Sequence, residues 1–204
     1  MIFSLPGLVI KVRKPEIADL ACIADWLASP AYLANIGGRP GADRRDYESE
    51  AKRILQENAN DHATNKYFIA EDRFSGVPIA LAMLCKIDWK NRHAEYSYIV
   101  GDPAFRMTLA AGDLNVVMYN YFFNHLNLNK VYGFVFAPNT ASLRINLFGG
   151  SLDGTLRRHR RQGDDTVDVH VFSILAEEFS AFVRQYARTL MRKHLDRGLI
   201  LCPQ

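Results

Sequence analysis

The apolar positions of this chain fall into short runs and alternating patterns that are typical of strands. Bounded by turn residues, these patterns predict strands over residues 8–13, 65–71, 77–87, 93–101 and 130–137, and a final hairpin over 152–160 and 167–175. Three of the predicted strands follow one another with short connections, and the later ones alternate with helical patterns. This order predicts a mixed sheet in an α/β (α+β) fold.

Apolar residues three and four positions apart predict the helices. They indicate a helix opened by Pro15 and others over 43–58, 112–126, 139–150 and 176–197. The segments 32–40 and 102–111 are predicted to be loops. No repeat or linker interrupts the series, so residues 1–204 are expected to form a single domain, with the helix over about 176–197 at its end.

Composition limits the classes of function. Hydrophobic residues make up 49% of 204 positions and the net charge is +3, which fits a globular protein with a phosphate-bearing ligand and does not indicate specific nucleic-acid binding. No apolar stretch reaches the roughly 20 residues of a membrane span, and no signal peptide is evident, so a cytoplasmic protein is expected. The cysteines, Cys22, Cys85 and Cys202, are far apart and predict neither a disulfide nor a metal site.

Three ordered blocks carry a resemblance to a known family. The first is His93 to Arg106, with Glu95 in the strand and Gly-Asp-Pro after it, and the second is 126–131 with Pro138 to Ser142. The third is the hairpin over 160–175. Together they resemble the GNAT superfamily, and most closely its branch of ribosomal-protein N-terminal and amino-sugar acetyltransferases. The resemblance implies a mixed sheet of about six to seven strands flanked by helices, here with an extra C-terminal helix.

The resemblance also implies a site for acetyl-CoA, or another acyl-CoA. In the family the thioester lies along the first-block strand, and backbone N–H groups at a helix N-terminus bind the pyrophosphate. The matching positions are Ile99, Val100, Gly101, Arg106, Met107, Thr108, Leu109, Ala110, Ala111, Gly112 and Asn139. Leu109 departs from the pattern because the family has glycine there, which lets the backbone approach the phosphates.

Two side chains are candidates for proton transfer, again by the resemblance. Glu95 matches the family's strand carboxylate and is expected to act as general base, with an ion pair to a neighbouring strand as the alternative. Ser142 matches a serine that could return a proton to the CoA sulfur, with helix capping as the alternative. Tyr96 and Tyr98, on the opposite strand face, are expected to pack. Asn146 stands where other branches carry a catalytic tyrosine.

The sequence leaves the acceptor and two alternatives open. The amine could belong to a small molecule, an amino sugar or a protein N-terminus. The basic run Arg157 to Arg161 is expected to be solvated or to border the substrate. An acyl-carrier protein could replace CoA and dock on this run, and a GNAT-fold binding protein without catalysis is the other alternative. The terminal helix is expected to pack on the domain, and a homodimer contact is the other possibility.

Overall fold

The computed structural model describes residues 4–36, 43–58, 60, 63–106 and 108–196. These residues form an eight-stranded sheet of order β1-β2-β3-β4-β5-β6-β8-β7. The strands are β1 (Ser4–Pro6), β2 (Ile10–Arg13), β3 (Lys66–Asp72), β4 (Pro78–Asp88), β5 (His93–Val100), β6 (Lys130–Phe136), β7 (Ser151–Gln162) and β8 (Asp165–Leu175). The predicted six to seven strands become eight because β1, three residues long, was not recognised in the sequence.

Within the described residues, six α-helices lie between and after the strands. They are α1 (Leu20–Leu27), α2 (Pro30–Ile36), α3 (Arg44–Asn58), α4 (Leu109–Asn120), α5 (Thr140–Gly149) and α6 (Phe179–Asp196). A π-helical turn, Tyr121–His125, continues α4, and 3-10 turns lie at Ile17–Asp19, Pro103–Phe105 and Ala176–Glu178.

Two loop predictions were wrong. The segment 32–40 lies in α2 as far as Ile36. The helix begins at Pro30, because the fixed φ of proline suits the first turn of a helix. Residues 37–40 fall outside the described residues. The loop over 102–111 ends three residues early. There Thr108 accepts a hydrogen bond from the Ala110 amide at 3.2 Å and caps α4, so that Leu109 is already helical.

The sheet has one parallel pair, and that pair is short. β5 and β6 pair only from His93 with Lys130 to Glu95 with Tyr132, whereas all other neighbours are antiparallel. Because β5 continues to Val100 and β6 to Phe136 without further pairing, the two strands diverge. The sheet is therefore open between these two strands beyond the pair Glu95–Tyr132, over more than half of each strand.

Successive side chains along each strand point to opposite faces of the sheet, and they form two hydrophobic cores, one on each face. On one face α4 and α6 cover Phe68, Ala70 and Tyr96, and Tyr98 packs against the same core. On the other face α1 and α3 cover Ile69 and neighbouring apolar residues. Tyr96 and Tyr98 thus pack as predicted, and Glu95 points to the opposite face.

A buried ionic network ties β2 to β3 and to the first helical turn. Arg13 donates to both carboxylate oxygens of Asp19, at 2.7 and 2.9 Å, and through Nε to Glu71 at 2.7 Å. Lys11 reaches the other oxygen of Glu71 at 3.0 Å. The side chains of Asp19 and Glu71 are only 2% and 10% exposed, so Arg13 neutralises charges that water scarcely reaches.

This network predicts a loss of stability in acid. Burial alone would raise the pKa of Glu71, but the hydrogen bonds from Arg13 and Lys11 outweigh burial and lower the pKa below its usual 4.5. The stabilisation is therefore complete above that value and is lost as the pH falls through the lower pKa of the folded state. Urea unfolding should show a smaller pH dependence between about pH 6 and pH 3 for Glu71→Gln than for the wild type. Equal dependence in both proteins would contradict this assignment.

Candidate active site

The opening between β5 and β6 exposes backbone groups of β5. The Gly101 amide donates to the Ile79 carbonyl of the preceding strand at 2.9 Å. In an antiparallel pair such residues alternate with residues whose N–H and C=O point away from the partner strand. Val100, opposite Ala80, therefore directs its amide into the opening. Three residues were expected beside the thioester. The backbone N–H and C=O groups of Ile99 and Gly101 point to β4, and those of Val100 point into the opening.

A narrow cavity lies at the closed end of the opening. Its lining includes Tyr96 from β5, Tyr119 from α4, Gly133 from β6 and Asn146 from α5. The cavity thus begins where the parallel pairing ends, on the sheet face covered by α4. Asn146, which stands at the tyrosine position of other branches, reaches it, whereas Ser142 is one helical turn away along α5.

The first turn of α4 borders the wide end of the opening. Arg106 Nε contacts the Val100 carbonyl at 3.4 Å, and Thr108 caps the helix. The amides of Leu109 and Ala111 have no partner within the ranges that the structure describes. Amides at a helix N-terminus attract anions through their N–H groups and the helix dipole. Met107, predicted to join this turn, lies outside the described residues.

Glu95 lies where β5 and β6 separate, on the face opposite the cavity. Its carboxylate accepts a hydrogen bond from Lys86 Nζ of β4 at 2.8 Å and is 23% exposed. This bond raises the pKa of Lys86. Burial, together with the Glu95 charge, raises the pKa of Tyr132, the cross-strand neighbour of Glu95. The carboxylate therefore binds one ammonium group in the structure, and its role as a general base stays a prediction.

Ser142 and Asn139 form the cap of α5. The Asn139 side chain accepts from the Ser142 amide at 3.1 Å, which makes Asn139 the N-cap. Asn146 Nδ2 donates to the Ser142 carbonyl at 2.9 Å and contacts its hydroxyl at 3.2 Å. The Ser142 hydroxyl can thus accept from Asn146 and still has its own proton to donate.

Two neighbours of the site, Lys86 and Tyr119, were not predicted from the sequence. Lys86 reaches Glu95 because its backbone is left-handed, with φ of 52°, at an irregularity in the pairing of β4 with β5. Tyr119 contributes to the cavity, but its helical spacing is indistinguishable from that of a core residue. For Lys86, the only signal in the sequence is that a lysine lies in the strand next to the strand of Glu95. The register of the two strands is needed to recognise that the side chains meet.

The described cysteines do not supply a nucleophile. Burial raises the pKa of the Cys85 thiol to about 11, with a further contribution from Glu95, and burial also raises that of Cys22 to about 11. Both thiols are therefore protonated at neutral pH, where the thiolate is the reactive form. Cys202 lies outside the described residues.

Comparison with known proteins identifies the family. The sequence-family model for the acetyltransferase (GNAT) domain matches residues 10–147, more than half of the chain. The chain belongs to the GNAT acetyltransferases. An uncharacterized N-acetyltransferase of Bacillus licheniformis, p20, is 24% identical over 175 residues, which cover 84% of this chain and 95% of p20. The prediction of a GNAT-type N-acetyltransferase is thereby confirmed.

Solved structures confirm the GNAT fold. Spermidine N-acetyltransferase from Vibrio cholerae, crystallised with CoA and spermine, is 22% identical and superposes with a TM-score of 0.74, covering 83% of this chain and 97% of that one. A GCN5-related N-acetyltransferase from Brucella melitensis is 18% identical, also with a TM-score of 0.74, covering 91% and 84%. The sequence placed the chain nearest the ribosomal-protein and amino-sugar branch, and that finer placement stays a prediction.

Other surfaces of this GNAT chain bear on its partners. The run Arg157 to Arg161 is exposed along β7, where Arg158 donates to Thr166 at 3.0 Å and Gln162 donates to the Ala34 carbonyl of α2 at 2.9 Å. Within the described residues no group of three or more His, Cys, Asp or Glu side chains is placed to hold a metal. No helix in that part of the chain has the length and apolar character of a membrane span.

Proposed function

We propose that the protein is a cytoplasmic N-acyltransferase that acts as one domain and transfers an acetyl group, or another acyl group, from acyl-CoA to a primary amine. The observation that carries the proposal is the divergence of β5 and β6, with the Val100 amide facing the opening and the first turn of α4 at its wide end. The unpaired edge of β5 offers backbone hydrogen bonds to an extended thioester arm, and the helix N-terminus suits a pyrophosphate.

The side chains around the opening support a direct transfer. Glu95, or a water molecule it holds, accepts a proton from the ammonium, and the neutral amine attacks the thioester carbonyl. The Val100 amide donates to the oxygen that becomes negative. When the C–S bond breaks, the nitrogen loses its second proton to solvent. The thiolate regains a proton from water, or from the Ser142 hydroxyl as that hydroxyl takes a replacement proton from solvent.

The acceptor that we propose first is a cationic small-molecule amine. Glu95 binds the ammonium of Lys86 in the structure, so the carboxylate has the charge and exposure needed to hold the ammonium of an acceptor. Spermine is bound to the related Vibrio cholerae enzyme, and polyamines are therefore the first acceptors to test. Amino sugars and peptide N-termini remain within the proposal.

An acyl-carrier protein is the second candidate donor. The observation that favours it is the exposed basic run, in which Arg157 and Arg160 have no ion pair among the residues described, together with Leu109 at the glycine position. Acidic partners dock on such surfaces with strong dependence on salt. This candidate predicts salt-sensitive binding of the carrier protein and no binding of CoA, and a GNAT-fold protein without catalysis would transfer nothing from either donor.

The test is release of free thiol from acetyl-CoA in the presence of single amines. The panel contains a polyamine, an amino sugar and a short peptide with a free N-terminus, each with mass detection of the acetylated product. Thiol release that depends on the amine would support the proposal. Release without acylated amine would contradict it.

A further inference from the structure

The extra C-terminal helix contacts the first turn of α4. Tyr186 of α6 donates its hydroxyl proton to the Leu109 carbonyl at 3.1 Å. Its ring lies so close to Gly112 that a Cβ on that residue would come within 2.5 Å of it. Glycine at 112 therefore admits the Tyr186 ring, a role in helix packing that is separate from phosphate binding.

The position of Tyr186 is fixed by its neighbour one turn earlier. Phe182 is 4% exposed and lies against Gly149 of α5, where a Cβ would come within 1.9 Å of the ring. The rings of Phe182 and Tyr186 are stacked at 6.4 Å. The helix α6 thus packs on both α4 and α5, the helices that follow the two diverging strands.

The hydrogen bond acts on the peptide group that begins α4. The carbonyl of Leu109 and the amide of Ala110 belong to the same planar unit. One end accepts from Tyr186 and the other donates to Thr108. This chain of hydrogen bonds fixes the orientation of the first turn, and its members strengthen one another by polarisation. The neighbouring amides of Leu109 and Ala111 are then held ready for an anion.

We propose that Tyr186 is a positioning residue for the pyrophosphate end of the donor. The inference rests on the proposed function and adds α6, which lies outside the matched residues 10–147, to the donor site. The first turn of α4 has Leu109 where the family pattern has glycine. The hydrogen bond from Tyr186 of α6 to the Leu109 carbonyl stabilises the backbone of this turn. Burial, with the charge of Asp113, raises the pKa of Tyr186 to about 12, so the hydroxyl remains a donor at neutral pH.

The test compares Tyr186→Phe with the wild type on two donors. Acetyl-CoA carries the pyrophosphate, and acetyl-pantetheine lacks it. For acetyl-CoA the variant should show a KM and a calorimetric Kd raised by about 3- to 10-fold, the effect of one hydrogen bond, with kcat unchanged. For acetyl-pantetheine both constants should be unchanged. The matched control is Tyr47→Phe, which lies on α3 at the other sheet face. This variant should leave KM and Kd unchanged for both donors.

Three outcomes would overturn the inference. An equal loss with both donors would show a general structural role, and an unchanged Kd for acetyl-CoA would show no role. Tighter binding of acetyl-CoA would show that α6 obstructs the site. Wild-type protein that binds acetyl-CoA but acylates no amine would contradict the proposed function, while the comparison of Kd values would still decide the role of Tyr186.

Discussion

Replacing Glu95 by glutamine is expected to lower kcat for acetyl transfer by about 100-fold, the lower end of what a general base contributes. Glutamine keeps the size and the hydrogen-bonding oxygen of the side chain but cannot accept a proton from the ammonium. The KM for acetyl-CoA should be unchanged because Glu95 lies on the sheet face opposite the cavity. Steady-state rates with the best amine of the acceptor panel measure both constants.

Lys86→Met is the control for this prediction. This substitution removes the Lys86 ammonium, whose Nζ lies 2.8 Å from the Glu95 carboxylate, and leaves the carboxylate itself in place. We expect this variant to retain kcat, with an unchanged or lower KM for the amine because a competing cation is gone. A wild-type kcat in Glu95→Gln would show that water or another group removes the proton, and Glu95 would then be a structural partner of Lys86.

Replacing Arg13 by methionine is expected to lower the free energy of unfolding by about 3–5 kcal/mol, the range for breaking a buried ion pair. Methionine fills much of the same volume, so the loss is chiefly electrostatic. It leaves two carboxylates, Asp19 and Glu71, buried without their shared partner. Urea unfolding followed by circular dichroism gives the difference, because the midpoint shifts while the slope stays constant.

Lys11→Met is the matched control for the Arg13 variant. Lys11 also contacts Glu71, but its side chain is 43% exposed, so its ion pair should contribute less than about 1 kcal/mol. The double variant Arg13→Met with Asp19→Asn should regain part of the stability, since one stranded charge is removed. Equal losses for the Arg13 and Lys11 variants would contradict the network as described.

Most of the fold could be predicted because the spacing of apolar residues follows the two faces of the sheet. The patterns over 65–71 and 77–87 correspond to β3 and β4, and the helical spacing after 176 corresponds to α6. Three local features were missed for physical reasons. β1 is too short to show alternation, α2 begins at a proline that also suits a turn, and α4 begins with a side-chain cap at Thr108 that periodicity does not show.

The candidate site was predictable only in part. The strand with Glu95 and the turn before α4 could be assigned by resemblance, because both are contiguous segments of sequence. The partners of that strand could not, since they depend on register and on one left-handed residue, Lys86. The contact between Tyr186 and Leu109 joins positions 77 residues apart, and only the packing of α6 on α4 brings them together.

A calorimetric titration of the whole chain with acetyl-CoA and with free CoA tests whether the opening between β5 and β6, with the first turn of α4, is a site for acyl-CoA. We predict saturable binding of both ligands, with a clearly larger Kd when pantetheine, which lacks the pyrophosphate, replaces CoA. Absence of binding for both ligands would contradict this prediction and leave the acyl-carrier protein or a non-catalytic role.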